Sequence, residues 1–188
     1  MRSGDMTTMR RAERITKAWR RPGLPAAGFA LFCLLPFPGT HAQTQRQIGR
    51  YTVTEQPVGA WVLKASAGPL GPYCTVERRG GGQTFGYQVT RTGQRYFGLS
   101  SATWKRAPGS FAAVRLTAGG AVLWSGRAIA PVPDSLVLPM QPGQRDPAAI
   151  LSRVESAQVE ISDQALRFDL SGAAEALRAQ RTCLAEAR

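Results

Sequence analysis

The chain reads as an α+β protein: a mainly antiparallel β-sheet or sandwich with two helices in its C-terminal half and one disulfide. Three observations predict this class. Apolar residues recur in short strand-like runs between residues 51 and 125, and at 85–90 they alternate with polar residues or glycine, the period of a strand with one buried face. Glycine-containing turns separate the later runs at hairpin spacing. Apolar spacing lengthens to that of a helix only after Asp146, and again after Gly172.

Short strands are expected over residues 51–55, 61–65 and 73–77. Phe85, Tyr87 and Val89 then alternate with Gly86, Gln88 and Thr90, and Thr92-Gly93-Gln94 offers a three-residue hairpin loop with glycine supplying a positive φ. That register sets Val89 opposite Phe97, Tyr87 opposite Leu99 and Arg91 opposite Arg95. Every large apolar side chain except Tyr96 then falls on one face. A second hairpin is expected from 111–117 to 121–125 around Gly119-Gly120.

The proline-rich stretch 130–144 reads as an extended crossing segment with a short edge strand at 136–138. Asp146-Pro147 is a helix start, and Ile150, Leu151, Val154 and Ala157 supply its apolar side. Val159 and Ile161, then Leu166, Phe168 and Leu170, alternate on either side of Asp163-Gln164 as another hairpin. Ser171 or Gly172 opens the last helix, whose stripe is Ala173, Ala176, Leu177, Cys183 and Leu184 with Gln180 its one polar member.

Residues 1–42 have the three parts of an export signal. Arg10, Arg11, Arg14, Lys17, Arg20 and Arg21 form a positive region, 23–37 an apolar one, and Thr40-His41-Ala42 a small-residue exit. Initiation at Met1, Met6 or Met9 leaves that pattern intact. The apolar stretch falls short of the about 20 residues a membrane span needs, and Pro25, Pro36 and Pro38 interrupt it. An uncleaved segment would remain the only membrane attachment. Phe32 before Cys33 does not suit a lipidated cysteine. The expectation is a cleaved signal over 1–42 and one β-rich periplasmic or secreted domain over 43–188.

Of 24 Lys/Arg and 12 Asp/Glu, residues 1–42 hold 7 and 2, so the domain keeps 17 and 10, a formal charge of +7 rather than +12. Nucleic acid is therefore not expected as a partner. The one histidine, His41, departs with the signal, which removes imidazole bases and histidine metal ligands. Two cysteines remain, too few for a thiolate zinc site. No cofactor is expected. In an oxidising compartment Cys74 and Cys183 are expected to pair. Closing about 110 residues would stabilise the fold by roughly 4–5 kcal/mol in the chain-entropy account.

Charge asymmetry is the functional lead. No acidic residue lies between Glu77 and Asp134, a stretch holding Arg78, Arg79, Arg91, Arg95, Lys105, Arg106, Arg115 and Arg127. The last 55 residues carry 8 acidic and 6 basic residues. Arg78, Arg79, Arg91, Arg95, Lys105 and Arg106 are the expected binding residues of a basic sheet face, with an anionic envelope component or an acidic protein as partner. Gly80-Gly81-Gly82 lacks the Gly-Lys-Ser/Thr of a phosphate loop and reads as a hairpin tip. Glu155, Glu160, Asp163 and Asp169 are the carboxylates an envelope hydrolase would need. They also suit exposed positions on the helix and hairpin. A small enzyme inhibitor shares the features of the binding module. No catalytic residue is expected. Trp61, Trp104 and Trp124 suit core positions better than stacking platforms.

Gly59-Ala60-Trp61-Val62, Cys74 in the next strand, and Phe168-Asp169-Leu170-Ser171-Gly172 followed by Ala173, Ala176 and Leu177 resemble the small periplasmic proteins of the invasion-associated locus B type. The resemblance touches roughly 59–77 and 147–184. The proline-rich middle and the late second cysteine depart from that pattern. It implies a β-rich envelope protein without established catalysis, with host-cell interaction in some members, and no catalytic residues to carry over.

Overall fold

The computed structural model describes residues 43–187 except Leu70 and Asp163. The expected signal segment 1–42 lies outside the described residues. Eleven strands form one antiparallel sheet: β1 (Thr44–Ile48), β2 (Tyr51–Val58), β3 (Trp61–Ala67), β4 (Tyr73–Gly80), β5 (Gln83–Thr90), β6 (Arg95–Ser101), β7 (Phe111–Ala118), β8 (Ala121–Ile129), β9 (Ser135–Pro139), β10 (Ser156–Ile161) and β11 (Gln164–Asp169). Helices α1 (Ala148–Leu151) and α2 (Ala173–Glu186) complete the chain. The strand order is β1-β2-β3-β4-β5-β6-β9-β8-β7-β10-β11.

Alternation places Trp61, Leu63, Cys74, Val76, Phe85, Tyr87, Phe97 and Leu99 on one face of the first six strands, all buried. Leu116, Val159, Ile161 and Phe168 from the later strands join the same core. Phe85 lies between Phe97 and Phe168, with ring centroids 5.9 and 5.7 Å away, so β11 at one end of the sheet packs over β5 through shared aromatics. Helix α2 lays Ala173, Ala176 and Leu177 onto this core, and Cys183 bonds Cys74 as expected.

Gln180, 2% exposed, donates from Nε2 to the carbonyls of Cys74 (2.9 Å) and Tyr87 (2.7 Å). The one polar member of the apolar stripe thus joins the helix to the sheet backbone. Trp61, Trp104 and Trp124 are all core residues.

Five expectations are corrected. Val89 pairs with Arg95, Tyr87 with Phe97 and Phe85 with Leu99. The loop is Arg91-Thr92-Gly93, closed by Thr90 N–H to Gln94 O and Gly93 N–H to Thr90 O, both 2.9 Å. Gly93 takes φ +83° as the third loop residue. A two-residue slip preserves which side chains face the core, so the apolar pattern is blind to it and turn geometry decides. The β9 strand is no edge strand: it pairs with β6 along one side and touches β8 through Ile129–Val137 on the other.

Helix α1 is a single turn that ends at Leu151. Val154 lies beyond it and Ala157 belongs to β10, where it pairs with Phe168 and Ala118. In the last hairpin Ile161 pairs with Gln164, so Gln164 belongs to β11 rather than to the turn. Strand β1, polar but for Ile48 and exposed along its length, has no apolar period for sequence reading to detect.

Candidate anion-binding cleft at the β4–β5 turn

Gly81 and Gly82, at φ +58° and +71°, close the two-residue turn between β4 and β5, a backbone that L-residues rarely adopt. Beside this turn a cleft of about 260 Å³ is lined by Arg78 and Arg79 of β4 and by Arg167 and Asp169 of β11. Arg78 donates to Ala60 O (2.8 Å) and is ion-paired with Asp169. Asp169 also accepts from the Ser171 hydroxyl (2.6 Å) and backbone N–H (2.9 Å). The Ser171 hydroxyl first, then Arg78 and the Ser171 N–H, hold its carboxyl well below the usual carboxylate range.

Arg79 donates to Glu77 Oε2 from Nε (3.1 Å) and Nη2 (2.8 Å) and lies 3.6 Å from Glu55. Burial acts against the guanidinium charge, but Glu77 and Glu55 outweigh it and raise its pKa. Lys64 contacts the same two carboxylates at 2.6 and 3.7 Å, and Arg46 pairs with Glu55. Arg167 is exposed and has no ion pair among the described residues. The cleft and its supporting network therefore hold five cations, Arg46, Lys64, Arg78, Arg79 and Arg167, against Glu55, Glu77 and Asp169.

The remaining expected site residues divide by position. The loop carrying Lys105 and Arg106 leaves the sheet beside this turn, where Ala102 N–H donates to Gly82 O (2.9 Å). Lys105 is exposed. The Arg106 guanidinium lies 5.5 Å from the Trp104 ring centroid. Trp104 Nε1 and Arg106 Nε are both buried without a hydrogen-bond partner.

Arg91 and Arg95 sit at the other end of β5, about 20 Å from Arg79 at strand rise. They do not oppose one another as the expected register had them, because Arg95 pairs with Val89. Arg91 is in the turn, and Arg95 lies 3.7 Å from Asp146. Asp146 also accepts from Tyr87 Oη (3.0 Å) and Ala148 N (2.9 Å). Burial, reinforced by the Asp146 charge, pushes the Tyr87 phenol well above its ordinary value. The six expected cations thus form two groups, not one face.

Arg167 was missed by sequence reading because no basic run marks it. Its alternation with Leu166 and Phe168 was the available signal. Of the carboxylates, Glu155 and Glu160 are exposed, Asp169 is held by Arg78, and Asp163 lies outside the described residues. Among the described residues no cluster of three or more His, Cys, Asp or Glu could hold a metal ion, and no helix is long and apolar enough to cross a membrane. Comparisons with protein-family models, curated proteins and solved structures find no match to the chain.

Proposed function

We propose that the protein is a non-enzymatic binding module of an oxidising extracytoplasmic space whose β4–β5 turn engages an anionic partner. The observation that carries this reading is the convergence of Arg167 with Arg78 and Arg79 at one cleft, from strands about 90 residues apart in sequence. The disulfide is consistent with an oxidising compartment. The export pattern of residues 1–42 and the resemblance to invasion-associated locus B-type proteins support an envelope setting. The partner is then an anionic envelope component or an acidic protein surface.

Vesicle sedimentation tests this. Binding to phosphatidylcholine vesicles containing anionic phosphatidylglycerol is expected at low salt and lost as salt rises. Arg79→Glu with Arg167→Glu should weaken it at least tenfold. Arg91→Glu with Arg95→Glu, at the far end of the sheet, should leave it within twofold. Equal loss from both pairs refutes a defined site. Absence of binding to anionic vesicles, together with absence of binding to a polyglutamate peptide, refutes anion recognition itself.

A further inference from the structure

A second site lies on the face of β2–β6 turned away from the core. Ser66, Thr75, Thr84, Gln88 and Ser100 line it beside the apolar Ile48, Val53 and Val137; Ser66 and Thr75 are only 5% and 9% exposed, and the strands form a trough of about 500 Å³. A volume of that size suits a small-molecule ligand. The pairing register resolves the trough into three rows running across the strands. Its floor is the row Glu77–Gly86–Gly98–Val137. One wall is Thr75–Gln88–Tyr96, and the other is Thr84–Ser100–Ser135. Neighbouring rows are two residues apart, about 6.7 Å, so the walls rise about 13 Å apart over a floor whose middle, Gly86–Gly98, carries no side chain.

The paired glycines are the telling feature. Glycine in a strand interior costs stability relative to a residue with a side chain and marks a bulge, a bend or a close approach. No bulge interrupts the β5–β6 ladder, and neither Gly86 nor Gly98 has the positive φ that would require glycine. A Cβ at Gly98 would meet nothing within 4 Å. The protein's own packing therefore gives no reason for glycine at 98, and a ligand resting on the backbone does.

The lining defines the ligand's chemistry. Glu77, the only acid on the floor, is engaged by Lys64 at 2.6 Å and Arg79 at 2.8 Å, so the charges at that end are already matched. The two walls carry hydroxyls, the Gln88 amide and the Tyr96 ring, while Ile48, Val53 and Tyr73 close the β1–β2 side. Hydroxyls and amides both donate and accept, and they suit a ligand rich in hydroxyls rather than an anion. Tyr96 supplies an apolar ring face, and the row spacing admits one six-membered ring.

We propose that this trough binds a neutral saccharide ring of a glycan chain, seated on Gly86 and Gly98, stacked on Tyr96, and hydrogen-bonded by Gln88, Thr84 and Ser100. The trough shares Glu77 and Lys64 with the network that supports the anion-binding cleft, but Tyr96, Gly98 and Ser100 take no part in that cleft.

Amide chemical-shift titration with chitotetraose and with maltotetraose tests it. At least one sugar should shift the Gly86 and Gly98 amides. Gly98→Val should raise the thermal midpoint, because it adds a strand-favouring side chain in open space, and weaken sugar binding at least tenfold. Tyr96→Ala should weaken binding comparably. Both variants should retain binding to anionic vesicles, which separates failure of this site from failure of the cleft. Absence of shifts with both sugars, binding that survives Gly98→Val, or a lowered thermal midpoint in that variant would each overturn the proposal.

Discussion

Gln180 is the most exposing test of how α2 is held. Its Nε2 serves two sheet carbonyls, Cys74 O and Tyr87 O, in a core from which water is excluded. Gln180→Met keeps the length and volume of the side chain and removes both donors. Each neutral hydrogen bond contributes about 0.5–1.5 kcal/mol net, so loss of the pair should cost about 1–3 kcal/mol. For a domain with a urea slope of about 2 kcal/mol/M, the midpoint should fall by about 0.5–1.5 M with the slope unchanged. Equilibrium urea unfolding followed by tryptophan fluorescence reads this directly, because Trp61, Trp104 and Trp124 are all buried. Gln180→Glu should cost more, since it must either bury a charge that cannot donate or take up a proton and regain only one donor. A midpoint within 0.2 M of wild type for the methionine variant would refute the assignment; the two carbonyls would then need no donor from α2.

Removing the disulfide by Cys74→Ser with Cys183→Ser should cost about 2–5 kcal/mol in the same unfolding assay. Asp169→Asn should flatten the acid limb of stability. The folded pKa of Asp169 is depressed, so its contribution is fully present above the unfolded value of about 3.9 and is lost as pH falls towards the folded one. Thermal melts between pH 2 and pH 5 should show a steeper decline in wild type than in the variant. Gly68→Ala should disturb the β2–β4 margin, because its Cβ would fall 2.1 Å from Tyr51 Cδ1 and displace that ring from its edge contact with Tyr73. Near-ultraviolet circular dichroism should change in the tyrosine region; an unaltered spectrum would count against that packing.

The strands that alternate cleanly were legible because one buried face imposes a period of two. Phe85, Tyr87, Val159 and Phe168 all fell as the pattern requires. Legibility failed where the physics lies elsewhere. The β5–β6 register depends on whether the left-handed Gly93 is the second or the third loop residue, and both registers give it a place in the loop. Ala157 suited a helical stripe as well as a strand, and its pairing with Ala118 and Phe168 decided between them. The cleft was half legible: Arg78 and Arg79 are adjacent in sequence, whereas Arg167 arrives only through the folding of β11 beside β4. The trough left a trace in Gly86 and Gly98, but glycines in a strand speak only once their register shows them to be neighbours.

The sheet's continuity turns on a weak joint. Strand β9 carries Ser135–Pro139 between the first six strands and the last four, and among the described residues Ile129–Val137 is its one backbone pairing with β8. A ladder that short cannot by itself hold the two parts in register. What holds them is therefore the interior: Leu136 and Leu138 of β9 are fully buried, and the Trp124 indole donates to Pro139 O at 2.8 Å. Trp61 Nε1 reaches Ser171 O at 2.8 Å from the opposite side. Trp61 and Ser171 are 110 residues apart, and a contact of that separation forms late and requires the whole chain to collapse. The cleft depends on that closure, since Arg167 meets Arg78 only when β11 is in place. The trough needs only strands that are sequential hairpins, together with β9. Destabilising the joint should therefore disperse the cleft's charge cluster before it disturbs the glycine floor.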